Sequence, residues 1–193
     1  GKVEMLDARN EPQMIIGNDR TLRAKRIWRN SSGGIATEGD SVLEMGDMRI
    51  QGRQFTIQQG EIVTFSTPSR AILRSGERQT SADRTDARFD SRTNMLLDLV
   101  QTGNFEFKEN GLSGRSQKAL LEDSGTIITL SGSPSLSDSQ MRIEAGEIRL
   151  NQKNNSVIAT KNVRTTTKDG DERVLVMAQH AQRNDDSIVY TGA

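Results

Sequence analysis

The chain of 193 residues contains no cysteine, one histidine, one tryptophan, one tyrosine and three prolines. Without cysteine there is no disulfide framework, no thiolate nucleophile and no thiolate-bound metal. His180 has no second histidine or cysteine with which to share a metal, so it reads as a surface strand residue, and neither metal nor cofactor is expected. Hydrophobic residues make up 33% of the chain and aromatics 4%, too little for a thick globular core. The 26 basic and 26 acidic side chains cancel, so no whole-chain field attracts nucleic acid. No run is long or apolar enough to span a bilayer as a helix, and no signal peptide stands at Gly1. The chain is therefore expected to be a piece of a longer one, with any targeting segment or anchor outside it.

What the chain has is a repeat of about 60 residues. Thr85 to Phe107 lies over Ile143 to Thr165 without a gap, matching Ala87 with Ala145, Thr102 with Thr160 and Asn104 with Asn162. Gln117-Lys118-Ala119 answers Gln179-His180-Ala181, and Gly132 answers Gly192. A third copy upstream places Ala24, Ile27 and Ile35-Ala36-Thr37 against Ala145, Ile148 and Ile158-Ala159-Thr160, and Pro68 echoes Pro134. Fixed-period similarity marks stacked units, none of which buries its apolar face alone. One elongated domain over 1–193 is expected.

Within each copy the apolar residues alternate, as in Phe55 and Ile57, Met141 and Ile143, Ile148 and Leu150, and Val174, Val176 and Ala178. Period two puts them on one face of a strand. Gly46-Asp47, Gln59-Gly60, Asp123-Ser124-Gly125, Gln152 to Asn155 and Lys168 to Asp171 supply turns at the spacing of all-β folds. Ser116 to Glu122 has helical propensity, but its repeat mate follows the β-branched run at Val174, so it is assigned to a strand. Residues 74–94, dense in Arg, Asp, Ser and Thr, read as a surface crossing or hinge.

The Ala-x-x-Ala/Ile steps at Ala24–Ile27, Ala145–Ile148 and Ala178–Ala181, the Gly103-Asn104-Phe105 step and Leu130-Ser131-Gly132-Ser133-Pro134 resemble the OstA-like proteins of the lipopolysaccharide-transport (Lpt) bridge. The pattern is departed from at Lys161, where glycine is expected before Asn162. The resemblance implies an open β-jellyroll, a folded V-shaped double sheet, acting as a non-enzymatic periplasmic carrier of lipopolysaccharide or a similar amphipathic lipid. It also implies an inner-membrane anchor outside this chain, and docking to other jellyroll modules or to further copies, head to tail, through edge strands. Exposing an acyl chain of a dozen methylenes to water costs on the order of 10 kcal/mol, so such a carrier needs an apolar trough and no catalytic group. Candidates for its lining are Phe55, Ile57, Phe105, Phe107, Leu130, Met141, Ile143, Ile148, Leu150, Val174, Val176 and Ile188; ordinary core is the competing reading of the same residues.

Two other functions fit an all-β repeat. One is a β-solenoid acting in structure or adhesion, with a filled core; the other is a β-helical polysaccharide-active enzyme. The enzyme would need paired carboxylates beside a cleft, and Asp83, Asp86, Asp90 and Asp185-Asp186 are available. No base, nucleophile or oxyanion set accompanies them, and they read as solvated turn acids. Arg20, Arg23, Lys25, Arg26 and Arg29, and Arg70, Arg74, Arg78, Arg84, Arg88 and Arg92, form two basic clusters, interleaved with acids and read as solvated faces. Trp28, following Ile27 in a strand, is a candidate cap for one end of the trough, with plain packing as the alternative.

Overall fold

The computed structural model describes residues 6–17, 20–169, 172–184 and 187–192. The first ten strands are β1 (Asp7–Arg9), β2 (Gln13–Ile16), β3 (Arg20–Arg23), β4 (Arg26–Arg29), β5 (Ile35–Glu38), β6 (Ser41–Met45), β7 (Met48–Gly52), β8 (Thr56–Gln58), β9 (Ile62–Thr67) and β10 (Ala71–Ser75). There follow β11 (Arg78–Ala82), β12 (Arg84–Asp90), β13 (Leu96–Glu109), β14 (Leu112–Glu122), β15 (Ile127–Ser131) and β16 (Ser135–Ser137). The last are β17 (Met141–Glu144), β18 (Glu147–Asn151), β19 (Ser156–Asp169), β20 (Glu172–Asn184) and β21 (Ser187–Thr191). The fold is all-β, as expected, and Ser116 to Glu122 lies within β14. The acids at 185 and 186 lie outside the described residues, as does the Gly170-Asp171 part of one expected turn.

Every pairing is antiparallel, and the pairings resolve into two layers. One runs β1, β4, β5, β8, β9, β12, the first half of β13, the second half of β14, β15, β18, the first half of β19, the second half of β20, and β21. The other runs β2, β3, β6, β7, β10, β11, the remaining halves of β13 and β14, then β16, β17 and the remaining halves of β19 and β20. The chain thus crosses between layers once per strand pair, at a shared seam, and turns back in hairpins at the two free margins. This is the folded double sheet of a jellyroll. Alternate side chains of both layers point inward and form one core cluster from Ile16 to Ala181.

The seam is where the repeat identities lie. Gln117 N–H donates to Gly132 O at 3.1 Å, and Gln179 N–H to Gly192 O at 3.1 Å. Ala24 N–H donates to Pro12 O at 3.4 Å and Ala145 N–H to Pro134 O at 3.3 Å. All three prolines stand where the chain passes from the first layer to the second, where a missing N–H breaks no ladder. In β13 and β19 the crossing is a bulge of two consecutive left-handed residues, Gly103-Asn104 (φ 78° and 45°) and Lys161-Asn162 (φ 68° and 57°).

These crossings bring backbone against backbone so closely that one partner of each facing pair is glycine. A Cβ on Gly103 would lie 2.8 Å from Asp83 Oδ2, and one on Gly132 2.6 Å from Gln117 Cβ. At Lys161 the glycine has moved to the facing strand: a Cβ on Gly146 would lie 2.7 Å from Lys161 Cβ, and Gly146 N–H donates to Lys161 O at 2.7 Å. The equivalent bond elsewhere is Asp83 N–H to Gly103 O, 2.9 Å. The departure from the family pattern is therefore compensated across the seam.

Residues 74–94 are not a surface crossing. They contain β11 and β12, whose inward residues Thr80, Ala82, Thr85, Ala87 and Phe89 are all buried. Hydropathy misses this stretch because two of those positions are threonine and two are alanine, while the outward ones are Gln79 and Ser81 in β11 and alternating arginine and aspartate in β12.

Two outcomes follow for stability. Gly146→Ala overpacks the seam and lowers unfolding free energy by about 1–3 kcal/mol, and adding Lys161→Gly recovers most of the loss, read by urea denaturation in a double-mutant cycle. Phe89→Ala, in the stretch that hydropathy leaves blank, costs about 3–5 kcal/mol, the range of a core aromatic and far outside that of a surface substitution.

Candidate functional site

The interior changes character along the stack. All five phenylalanines, Phe55, Phe65, Phe89, Phe105 and Phe107, are about 1% exposed and lie in the N-terminal and middle part, with Phe55 edge-on to Phe65 at 4.9 Å. From β19 on the inward positions are small or short, among them Ala159, Val163, Thr165, Ala178 and Ala181, whereas β15 to β18 still turn Ile128, Leu130, Leu136, Ile143 and Ile148 inward. Thr165 is fully buried between Ile143 and Val176 in register, and its hydroxyl has no hydrogen-bond partner among the described residues. The inner face opens at the C-terminal end, where Val176, Ile188 and Tyr190 are half-buried and Val174 is 44% exposed.

The twelve expected lining residues all belong to strands or corners that face this interior. Phe55, Ile57, Phe105, Phe107, Leu130, Ile143 and Ile148 are packed in protein, Met141 and Leu150 are buried near the margin, and Val174, Val176 and Ile188 are accessible. Trp28 does not cap the interior. Ile27 takes the inward position, so Trp28 points outward beneath the Arg26 guanidinium, 4.9 Å from the ring centroid.

Along the free margins, the last inward position of several strands is polar and reaches across the mouth between the layers. Arg20, from β3, is 4% exposed; its Nη2 donates to Asp90 O and to Asn94 Oδ1 at the β12–β13 turn, and its Nε lies 3.3 Å from Met45 Sδ. Arg78, from β11, donates to Gly125 O at 2.9 Å and to Gln152 Oε1 in the opposite layer, while pairing with Glu109 at 3.4 Å in its own. Gln152 also donates to Glu109. Arg183, from β20, donates to Asp138 Oδ2 at 2.8 Å across the mouth. Arg20 and Arg78 thus depart from the solvated role expected of their clusters. Others keep it: Arg26 binds Asp7 at 2.9 and 3.0 Å, Arg84 binds Asp86 at 2.7 Å and Arg70 binds Asp83 and Glu106, both at 3.3 Å, all on the outer surface.

Between the Arg78–Glu109–Gln152 contact and the Asp138–Arg183 contact no side chain among the described residues is seen to bridge the mouth. A cavity of about 520 Å³ lies there, with Leu112, Leu150 and Val157 among its walls and Asn110, Asn151, Asn155 and Ser156 completing a polar rim. That size is within the range of small-molecule sites, about 300–1,000 Å³. Leu150 had been visible as a candidate from alternation. Leu112 and Val157 had not, because each is the first apolar residue after a turn and shows no alternation of its own.

Among the described residues, the carboxylates considered for sugar cleavage do not converge. Asp83 sits at the seam, bonded to Asn104 at 2.7 Å, and Asp90 at the mouth end of β12, where its Oδ1 accepts from Arg92 N–H, Thr93 N–H and the Thr93 hydroxyl at 2.7–2.9 Å. Those bonds, the Thr93 backbone first, hold Asp90 below the usual carboxylate range. His180 is half-buried between Thr160 and Thr191.

The chain matches the model of the LptA/(LptD N-terminal domain) LPS transport protein family over residues 21–156, more than two thirds of its length. It belongs to that family. No curated protein matches the chain. The Lpt family match runs from the second residue of β3 to the first residue of β19 and so includes the Phe-filled part, the Arg78 contacts and most of the cavity wall.

Asp138 gives the mouth a pH dependence. Burial alone would raise its pKa, but Arg183 and the N–H groups of Gln140 and Met141 outweigh it and leave the carboxyl below its ordinary 3.8. A depressed folded pKa contributes stability that is present above the unfolded value and lost as pH falls through the folded one. The Asp138–Arg183 contact is thus expected to be complete above the ordinary carboxylate value of 3.8 and to part only as pH falls below it, followed by the Asp138 carboxyl carbon shift in NMR; Arg183→Gln should move that midpoint upward.

Proposed function

We propose that the protein is a non-enzymatic carrier of lipopolysaccharide or a similar amphipathic lipid in the periplasm, with acyl chains held between the layers and the polar head outside. The observation that carries the reading is an interior that runs the length of a folded sheet of the LPS transport family and becomes accessible toward its C-terminal end. Met141, Leu150, Val174, Val176 and Ile188 are the lining residues nearest accessible space and the first expected to touch acyl chains, with Ile143 packed behind Met141. Immersing a dozen methylenes there recovers on the order of 10 kcal/mol relative to water, enough to hold a lipid without chemistry. A filled solenoid would present no such space, and a sugar-cleaving site would need the carboxylates that lie apart here.

The terminal strands favour assembly with other jellyroll modules. Among the described residues, β1 and β2 pair on one side only, as do β21 and the first half of β20. Ile15, 69% exposed, flanks one edge; Leu175 and Met177, 49% and 68% exposed, flank the other. Edge strands of this kind join by continuing the ladder, which would make two interiors continuous.

With p-benzoylphenylalanine at Ile143 and at Val176, illumination in the presence of purified lipopolysaccharide is expected to give an adduct at both. The outward neighbours Arg142 and Arg164 should give none. Adducts at the outward positions alone would refute the carrier reading. For the edges, sedimentation should show mass rising with concentration, and Leu175→Lys with Met177→Lys should shift the midpoint at least tenfold upward.

A further inference from the structure

The mouth and the interior together say more than that the protein has a trough. Over the Phe-filled part the two layers are tied by Arg20 to the β12–β13 turn and by Arg78 to Gly125 and Gln152, and the interior beneath holds side chains at full density. A close-packed interior admits nothing without displacing what fills it. Past Gln152 the ties among the described residues stop until Asp138–Arg183, and in that interval the walls are Leu112, Leu150 and Val157 under a rim of amides and a hydroxyl flanked by the ion-paired Glu109, Asp138 and Arg183. On its C-terminal side, in β19 and β20, the buried inward residues are mainly alanine, valine and threonine. Apolar walls under a polar rim complement an amphiphile, whose tail enters while its head stays at the surface.

We infer that acyl chains enter sideways, through the interval between the Arg78–Glu109–Gln152 and Asp138–Arg183 contacts, and lodge only in the C-terminal part of the interior. This rests on the carrier reading above. Arg78 and Arg183 are gateposts in this arrangement: each ties a layer margin to the opposite one and is ion-paired, Arg78 with Glu109 and Arg183 with Asp138, and Glu109, Asp138 and Arg183 stand at the ends of the port. The buried Thr165 hydroxyl, which has no hydrogen-bond partner among the described residues, faces this part of the interior.

The methionines are reporters already in place. Met45 lies inward in the sealed part, beside Arg20; Met141 lies inward next to Asp138, bonded to it through both backbone groups; Met177 points outward. Photo-methionine incorporated throughout the intact chain, illuminated with purified lipopolysaccharide and mapped by mass spectrometry, should mark Met141 at least tenfold over Met45. Because the chain has no cysteine, Leu112→Cys labelled with fluorescein maleimide places a bulky group in the port alone. The label should abolish the Met141 adduct, whereas unlabelled Leu112→Cys, and labelled Thr64→Cys on the outer face, should retain it. Equal marking of Met45 and Met141, or a Met141 adduct that survives the plugged port, overturns lateral entry and leaves the carrier reading standing. If neither an inward adduct nor co-purifying lipopolysaccharide is found with the unmodified chain, the carrier reading falls and the port with it.

Discussion

Everything in this molecule depends on the chain being able to pass from one layer to the other at van der Waals limits, once in every strand pair. Two sheets pack about 10 Å apart only if the crossing strands bend sharply, and here the bend is made by backbones that touch. Such a contact leaves room for one Cβ and not two. Gly103 opposite Asp83, Gly132 opposite Gln117, Gly192 opposite Gln179 and Gly146 opposite Lys161 are four solutions of that constraint. The requirement acts on the pair, so the glycine is free to change sides.

The same geometry separates what holds the fold from what makes it useful. At the seam the layers are joined covalently and by backbone hydrogen bonds, so nothing further is needed to keep them together there. At the mouth only side chains hold them. Each buried cross-mouth contact replaces solvation of an arginine by charge-assisted bonds, a net effect of about 1.5–3 kcal/mol per bond at most, and an acyl chain brings several times that. An ensemble in which the mouth opens locally while the seam stays fixed is therefore energetically accessible, and a stack of 21 strands can do this at one place without melting elsewhere.

How much of this was legible in the sequence follows from where each signal lives. The repeat, the strands and the seam were readable, because Gly, Asn and Pro at fixed offsets are demanded by backbone geometry and no other residue does the work as cheaply. Apolar alternation gave Ile148, Leu150 and Ile143 their inward faces. It failed at β11 and β12, where Thr80, Thr85 and Ala87 satisfy an inward position without raising hydropathy, and the intervening arginines made the stretch look like a surface. It failed again at the mouth. Arg20 and Arg78 sit two residues before the first fully buried inward residues of their strands, Leu22 and Thr80, and nothing local distinguishes such an arginine from its solvated companions. Only the register tells them apart, since an inward-facing arginine at a strand end must find its partners in the other layer.

The gradient from phenylalanine to alanine bears on direction. In a carrier that delivers its lipid to a neighbour, affinity should be highest where the lipid enters and transit should require no climb over a packed core. A Phe-filled interior beyond Leu112 would make the N-terminal part a stopper for tails arriving through the port, since displacing even one buried phenylalanine costs on the order of the 3–5 kcal/mol lost on its truncation. The remaining route is toward β20 and β21, where small inward residues and an unpaired edge coincide. The port and the C-terminal edge are then two ends of one short path, and the N-terminal layers serve as the rigid base against which the mouth opens.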